Sequence, residues 1–338
     1  MDFFRCDPNL GNCPRRVLDN RAINQDYLAN NEVSNPGQIP AESCPSFMHR
    51  ILKTGDWFHS DGFPITVERR QPQEPFGPHA HEFSELVLVI GGKGLHVTGA
   101  ESWPLAAGDV FVISGNRPHH YDQMQNLCLI NILFQPKKLR MELADLPGLA
   151  GYHALFALEP AWRKRHQFKS RLHLSPQELG VVTGLMDQLD LELKHRSSGF
   201  AFIATALFMQ IIGFLSRCYS QSRNPDSRAL LRIAETITHL ETNFEKTINL
   251  DDLAKKSGMS RRSFLRTFRA ATDHTPIAYL IQLRINRAIN LLRGTNDSVT
   301  EIAFKVGFGD SNYFTRQFRK IAGVSPRAYR RQNVNTAH

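Results

Sequence analysis

One local design occurs twice in the last third of this 338-residue chain. Residues 252–260 (DLAKKSGMS) and 301–310 (EIAFKVGFGD) each place an alanine, a glycine and then a serine or aspartate in the same order. The two copies are 49 residues apart, and the second has one extra turn residue. The small alanine lets two helices approach closely, the glycine accepts the positive φ of a tight turn, and the serine or aspartate caps the next helix. The repeat therefore predicts two helix-turn-helix units in tandem.

The helix that follows each turn is repeated as well. Phenylalanines stand four and eight residues after Ser260, and again after Asp310. Because these aromatics are expected to face the core, the residues between them face outward, where arginine can pair with guanine and asparagine with adenine in the major groove. The candidate DNA-binding residues are Arg261, Arg262, Arg266, Ser311, Asn312, Thr315, Arg316 and Lys320. The candidates for base contacts are Arg262, Arg266, Asn312 and Arg316, whereas Arg261, Arg269, Arg319 and Lys320 suit phosphates or solvent.

Spacing and charge agree with DNA binding. Residues 276–292 read as one amphipathic helix of about 25 Å, enough to hold two reading helices near the ~34 Å spacing of successive major grooves. Residues 228–331 contain 19 Lys and Arg against nine Asp and Glu, so this segment carries the whole basic excess of the chain. A basic surface confined to one domain is typical of phosphate binding.

The segment 249–331 resembles the DNA-binding domain of the AraC/XylS family. The resemblance rests on residues 307–314 (GFGDSNYF), on Phe318 with Arg319, and on residues 323–330 (GVSPRAYR). It implies a seven-helix domain, binding to promoter DNA and, in most members, activation by contact with RNA polymerase.

The N-terminal half has a different character. Short β-type runs broken by glycine and proline between Ile65 and Phe134 predict an all-β barrel or sandwich. Residues 79–85 (HAHEFSE), followed by 108–113 (GDVFVI) and Pro118-His119, resemble the two half-motifs of a cupin barrel. In cupin enzymes such residues converge on a divalent metal. The candidate ligand-binding residues are His79, His81, Glu85 and His119.

Three interpretations of these four residues stay open: a metal site, a metal-free effector site and a purely structural cluster. Ser114-Gly115-Asn116 stands where cupin enzymes usually have Pro-x-Gly, and barrels fused to AraC-type domains usually bind an effector without metal. We therefore expect an effector site with no metal and no cofactor.

The segments 78–89, 94–97 and 126–129 are similar to the sensor of the rhamnose-operon regulators. A polyhydroxylated sugar suits imidazole, carboxylate and amide groups, which satisfy hydroxyl donors and acceptors. L-rhamnose or a related sugar is the expected effector.

The expected fold is multidomain α+β, with an N-terminal cupin-like β-barrel plus a helical pair, and a C-terminal all-α domain. Ser175-Pro176 begins one helix and residues 201–219 form another. One of them is expected to pack on the barrel, and the other is a candidate homodimer contact, which is inferred from the apolar stripe of residues 179–193 and from the family resemblance. The alternative is that both helices pack only within the chain. The expected segments are a loosely ordered leader at 1–50, the barrel at 51–170, the helical pair at 171–220, a linker at 221–229 and the DNA-binding domain at 230–333.

Five cysteines without a C-x-x-C pair indicate free thiols in a reducing compartment. The N-terminus lacks the layout of a secretory signal and no apolar run approaches 18 residues, so we expect a cytoplasmic protein without a membrane segment. The hypothesis is a DNA-binding regulator that is not an enzyme. The alternatives are a metal-dependent cupin enzyme with a DNA-binding appendage, and a constitutive regulator whose barrel serves only dimerisation.

Overall fold

The computed structural model describes residues 50–99, 101–114, 117–139, 146–160, 172–222 and 224–334. The expected leader, residues 1–50, lies outside these ranges except for Arg50. Within them a strand-rich N-terminal part is followed by helices, in agreement with the mixed architecture that the sequence predicts.

The N-terminal part is built on a six-stranded sheet in the order β2-β7-β4-β6-β8, with β5 paired to β4, and on a small parallel pair of β1 and β3. The strands are β1 (Arg50–Leu52), β2 (Ile65–Arg70), β3 (His79–His81), β4 (Ser84–Thr98), β5 (Glu101–Ala106), β6 (Asp109–Ser114), β7 (His120–Phe134) and β8 (Leu172–His173). A short helix, α1 (Thr54–Trp57), follows β1.

The apolar runs 86–90 and 95–97 belong to one long strand, β4, which pairs with β7 through register shifts between Val89 and Leu95. Gly92 lies within this irregular stretch with φ +72°, and a Cβ there would come within 2.0 Å of the carbonyl oxygen of Asn126. Glycine at this position lets the strand continue where the sequence suggests a break.

Both faces of the sheet are buried. Leu86 and Leu88 of β4 lie in the core that contacts the helices, whereas Val87 and Val89 lie in a second cluster inside the barrel. The two-residue period of a strand produces this division. Burial of both faces explains why the sequence of β4 is a nearly continuous apolar run rather than an alternation of apolar and polar residues.

The helical pair consists of α3 (Pro176–His195) and α4 (Phe200–Ser220), which follow the short α2 (Ala150–Tyr152) and a π-helix (His153–Leu158). Ser175 and Glu178 form the capping box of α3. Both helices bury their stripes within this chain: Leu185 and Leu189 of α3 lie in the core, and the ring of Phe208 on α4 is 5.2 Å from that of Phe134. The helices pack against each other and against the sheet, whereas Phe202 and Ile203 near the start of α4 stay exposed.

Contrary to the expectation from apolar runs, α4 is long and apolar enough to cross a membrane by length and composition alone. One such helix is weak evidence, since core helices of other proteins meet the same criterion. Phe208, Ile211 and Leu215 of α4 are buried in the core of this chain.

Seven helices form the C-terminal part of the described chain, as the family resemblance implies. They are α5 (Pro225–Thr242), α6 (Leu250–Lys256), α7 (Arg261–Thr272), α8 (Pro276–Gly294), α9 (Val299–Lys305), α10 (Ser311–Ala322) and α11 (Pro326–Val334). Helix α5 begins inside the linker expected at 221–229, because Leu230, Ile233 and Ile237 on its apolar stripe are buried in the same core cluster as Leu155 of the π-helix. The first helix-turn-helix unit thus shares a core with the sheet, whereas the second has a separate core around Phe314 and Phe318.

Candidate functional site

Two helix-turn-helix units are present where the repeat predicts them, α6 with α7 and α9 with α10. The turns pass through Gly258 at φ +64° and Gly307 at φ +90°. The Ser260 side chain accepts from the amide of Ser263, and the Asp310 side chain accepts from the amide of Asn312 at 2.7 Å. These capping bonds fix the start of each reading helix.

The phenylalanines four and eight residues after each cap are fully buried. As a result, the predicted base-reading side chains Arg262, Arg266, Asn312 and Arg316 are exposed on the opposite faces of α7 and α10. The remaining candidates also lie on these helices: Arg261 and Lys320 are exposed, and Ser311 and Thr315 are half-buried.

Some of these candidates already have partners within the protein. The Arg261 guanidinium lies 3.3 Å from both carboxylate oxygens of Asp251, and the Thr315 hydroxyl donates to the carbonyl of Ser311 at 2.9 Å. The guanidinium of Arg316 lies 5.8 Å from the ring centre of Tyr313. Tyr313 is exposed on α10 and was not among the predicted residues, because its place beside Phe314 suggests a core position.

Arg284 of α8 joins the two units, and no sequence signal distinguishes it from other basic residues of an amphipathic helix. Its Nε donates to the carbonyl of Phe244 at 2.7 Å and its Nη2 donates to that of Lys246 at 2.9 Å. The same guanidinium lies 5.7 Å from the ring centre of Phe308, in the turn of the second unit. One side chain therefore ties the loop after α5 to the second turn.

The four predicted ligand-binding residues converge inside the barrel. β3 supplies His79 and His81, β4 supplies Glu85, and His119 precedes β7; all four are at least nine-tenths buried. His81 Nε2 is 3.3 Å from Glu85 Oε2 and His119 Nε2 is 3.6 Å from the same oxygen. The rings of His79 and His119 have centroids 4.3 Å apart.

The tautomers of these histidines follow from their backbone contacts. In all three rings Nδ1 lies 2.6–3.2 Å from the backbone carbonyl oxygen of a residue two positions away in the sequence. A carbonyl only accepts, so Nδ1 carries the proton and a neutral ring turns an Nε2 lone pair outward. In His81 and His119 this lone pair faces the Glu85 carboxylate. When both rings are neutral, three acceptors converge in this way and need a proton, a hydroxyl donor or a cation between them. In its imidazolium form each ring instead donates its Nε2–H to Glu85.

Burial and neighbouring charges determine the charge states of Glu85 and His79. Burial by itself would raise the pKa of Glu85, but the hydrogen bonds and positive charge that His119 and His81 provide in their imidazolium form hold that pKa far below its usual range, so the carboxyl is ionised. Burial, together with the neighbouring His119, lowers the pKa of His79 to about 3, so His79 is neutral at physiological pH.

A metal ion is chemically compatible with this cluster. Among the described residues, His81, Glu85 and His119 each offer one ligand atom, and these atoms lie within 4.8 Å of one another. Imidazole and carboxylate ligands suit Fe, Mn, Ni or Zn. A metal would supply the positive charge that the three acceptors require.

The cluster lines a cavity of about 270 Å³. Its further walls come from residues that sequence reasoning missed, namely Trp57, Glu68, Arg70, Phe76, Tyr121 and Asn131. The two-residue period of strand β2 could have identified two of them, Glu68 and Arg70, from the sequence. Arg69 bonds Asp190 on α3 at 2.9 Å, which turns its neighbours Glu68 and Arg70 to the cavity face. Asn131 Oδ1 is buried without a hydrogen-bond partner in the described part of the chain.

A barrel with a cavity lined by buried polar side chains, followed by two helix-turn-helix units, defines a transcription regulator with a ligand-binding domain. Residues 64–212 match the family model of the AraC-like ligand binding domain, and residues 253–332 match that of a helix-turn-helix domain. The chain belongs to the AraC family of transcriptional activators.

Its relatives include the transcriptional activators RhaR and RhaS. The chain is 31% identical to the HTH-type transcriptional activator RhaR of Mannheimia succiniciproducens over 82% of its own length and 96% of that protein. It is 31% identical to the activator RhaS of Citrobacter koseri over 83% and 96%, respectively. Among solved structures, the DNA-binding domain of AdpA in complex with a target DNA is 34% identical, covers 30% of this chain and 91% of that chain, and has a TM-score of 0.29.

Proposed function

We propose that this activator is controlled by a small neutral sugar, L-rhamnose or a close relative, which binds in the barrel cavity. The observation that carries the proposal is the convergence of His81 Nε2, His119 Nε2 and the ionised Glu85 on one buried point. Sugar hydroxyls can donate to the Glu85 carboxylate and to the Nε2 of a neutral ring, and Asn131 Oδ1 offers a further acceptor. The similarity to RhaR and RhaS favours rhamnose among the sugars.

In this proposal the reading helices bind promoter DNA in two successive major grooves. Arg262, Arg266, Asn312 and Arg316 contact bases, with Ser311 and Thr315 beside them. Arg261 and Lys320 contact phosphates, which position the protein without reading sequence. The sugar changes DNA affinity or the contact with RNA polymerase, and the protein acts in the cytoplasm without catalysing a reaction.

We further propose that the active form is a homodimer formed through the outer faces of α3 and α4. Val181 and Leu191 on α3 and Phe202 and Ile203 on α4 are exposed large apolar residues, and Phe202 is 77% exposed. Apolar side chains concentrated on one helical pair are typical of a protein-protein contact. This face differs from the predicted 179–193 stripe, of which Leu185 and Leu189 are buried within the chain.

The sugar proposal is tested by calorimetric titration of the purified protein with L-rhamnose and a panel of other sugars. DNA binding upstream of its own gene is measured in parallel at fixed salt. We expect one sugar to bind and to change DNA affinity. Glu85→Gln removes the charged acceptor and should weaken that sugar at least about tenfold, or ~1.4 kcal/mol. Glu101→Gln, on β5 and outside the cavity lining, is the matched control.

Specific DNA binding that no sugar changes would contradict the effector proposal and leave the DNA-binding proposal intact. In that case the second candidate is a metal centre, which the ligand distances of His81, Glu85 and His119 favour. One equivalent of Zn²⁺ or Ni²⁺, retained after dialysis by the wild type and lost in His81→Ala, would support it. A metal-dependent enzyme would in addition require turnover that disappears with that metal.

A further inference from the structure

A half-buried carboxylate at the junction of the sensor and the DNA-binding domain is bound from both sides. Glu241, near the end of α5, lies with Oε2 3.6 Å from Nε2 of His153, the first residue of the π-helix. Its Oε1 accepts a hydrogen bond from the hydroxyl of Tyr279 on α8 at 2.7 Å. The His153 side chain is 8% exposed and that of Glu241 is 16% exposed. We call these three residues the Glu241 bridge.

On the DNA side, the bridge leads directly to the first reading helix. The ring of Tyr279 packs edge-on against that of Phe268 on α7, with centroids 5.8 Å apart. Phe268 is fully buried and lies on the face opposite Arg262 and Arg266. A displacement of Tyr279 would therefore be transmitted through Phe268 to α7, the helix that carries these arginines. The second unit has its own core around Phe314 and is not part of this contact.

On the sensor side, a series of rings connects the bridge to the cavity wall. Tyr152 stacks on Phe156 with centroids 5.3 Å apart, and Phe156 packs against Phe134 at 6.4 Å. Phe134 is the last residue of β7, the strand that also carries Asn131 in the cavity wall. The ring of Tyr152 also packs edge-on against that of His153, with centroids 5.6 Å apart. Ring contacts therefore connect Phe134 to His153, and the backbone of β7 connects Phe134 to Asn131.

We infer that the Glu241 bridge couples the occupancy of the barrel cavity to the placement of the first reading helix. This inference rests on the proposed effector function. A charge with little water access depends on its few partners, so a sensor movement that changes the His153 contact alters how Glu241 holds Tyr279. Such coupling requires two states that the ligand distinguishes. Glu241 acts here as a positioning residue, not as a DNA contact.

The test uses the full-length protein and the ratio of DNA dissociation constants without and with saturating sugar. Glu241→Gln and Tyr279→Phe keep the side-chain shape but remove the charge or the hydroxyl. Each variant should bring this ratio at least threefold closer to one. The double variant should lower the ratio no further than the single variant with the larger effect. Glu235→Gln, exposed on the same helix, is the matched control and should keep the wild-type ratio. Unchanged melting temperatures and sugar dissociation constants within threefold would exclude misfolding.

Footprints on the two operator halves give a second measurement. The variants should alter protection of the half bound by α7 and leave the half bound by α10 unchanged. A sugar response that survives in both variants would overturn the inference. A wild-type protein without any sugar response would defeat the effector proposal instead. The bridge is then tested by whether His153→Gln and Tyr279→Phe have non-additive effects on unliganded DNA affinity, and additive effects would overturn it.

Discussion

Two carboxyl groups face the same cavity, and their surroundings move their pKa values in opposite directions. Glu85 lies between His81 and His119, whose charge and hydrogen bonding outweigh the effect of burial and lower its pKa. For Glu68 on β2, burial is the largest influence and raises the pKa, although Arg70 opposes it. The same cavity therefore holds one carboxyl, Glu85, that the imidazoles keep ionised, and a second, Glu68, whose ionised form is destabilised by burial.

The raised pKa of Glu68 predicts that Glu68→Gln stabilises the protein at pH 7. The native state disfavours the ionised form, so the wild-type protein loses stability as the pH rises through the folded pKa. Below the unfolded value of about 4.5 the carboxyl is neutral in both states and the advantage of the variant disappears. Thermal melts should therefore show a higher melting temperature for the variant than for the wild type at pH 7, and no difference at pH 4. Equal gains at both pH values would contradict this explanation.

At the scale of elements, the relation between the two reading helices depends on Arg284 as much as on the length of α8. A helix fixes the distance between its ends but not the rotation of the units attached to them. The two backbone hydrogen bonds of Arg284, together with its position over Phe308, set that rotation. Gly307 permits the contact, because a Cβ there would lie 2.6 Å from the carbonyl oxygen of Glu245.

We therefore expect Arg284→Lys to weaken binding to a two-groove operator by about tenfold, or ~1.4 kcal/mol. Lysine keeps the charge but cannot direct two fixed donors at two carbonyls. Fluorescence anisotropy should show a much smaller loss on DNA with one half-site scrambled, where relative orientation no longer matters. Arg287→Lys, exposed on the same helix, is the control. Equal losses on the whole operator and on single half-sites would indicate a phosphate contact instead.

At the scale of the whole molecule, one hydrophobic core runs from the sheet through α3 and α4 into the first helix-turn-helix unit. The second unit is packed around its own core. Ligand binding in the barrel is therefore better placed to influence the first reading helix than the second. The outer face of the helical pair, with Phe202 exposed, is separate from this core and is the proposed dimer contact.

The dimer proposal predicts that Phe202→Ser combined with Ile203→Ser converts the protein to a monomer. Both side chains are exposed, at 77% and 44%, so their loss should leave the stability of the fold nearly unchanged. Sedimentation equilibrium should give the monomer mass for the double variant and twice that mass for the wild type. Replacement of Phe304 by serine, an exposed apolar residue on α9, is the control. A monomeric wild type would remove this part of the proposal.

The sequence by itself determined the features that depend on local chemistry. Glycine at a positive-φ turn, a capping serine or aspartate and phenylalanines at helical spacing specify a helix-turn-helix unit wherever they occur, because their constraints act within about 20 residues. His79, His81 and Glu85 were likewise predicted, since they are close to one another along β3 and β4, whereas His119 was predicted from the resemblance of its segment to the second cupin half-motif.

Only the tertiary structure decided which distant residues complete these sites. Glu68 and Trp57 reach the cavity because of how β2 and α1 pack, and Glu241 meets His153 across 88 positions of the chain. Helix α5 begins at Pro225, inside the expected linker, and this start is likewise decided by packing between elements that are distant in the sequence. Polar character predicts a linker, but burial of the α5 stripe against the π-helix stabilises a helix there. Contacts of this range depend on the packing of whole elements, which local sequence patterns do not encode.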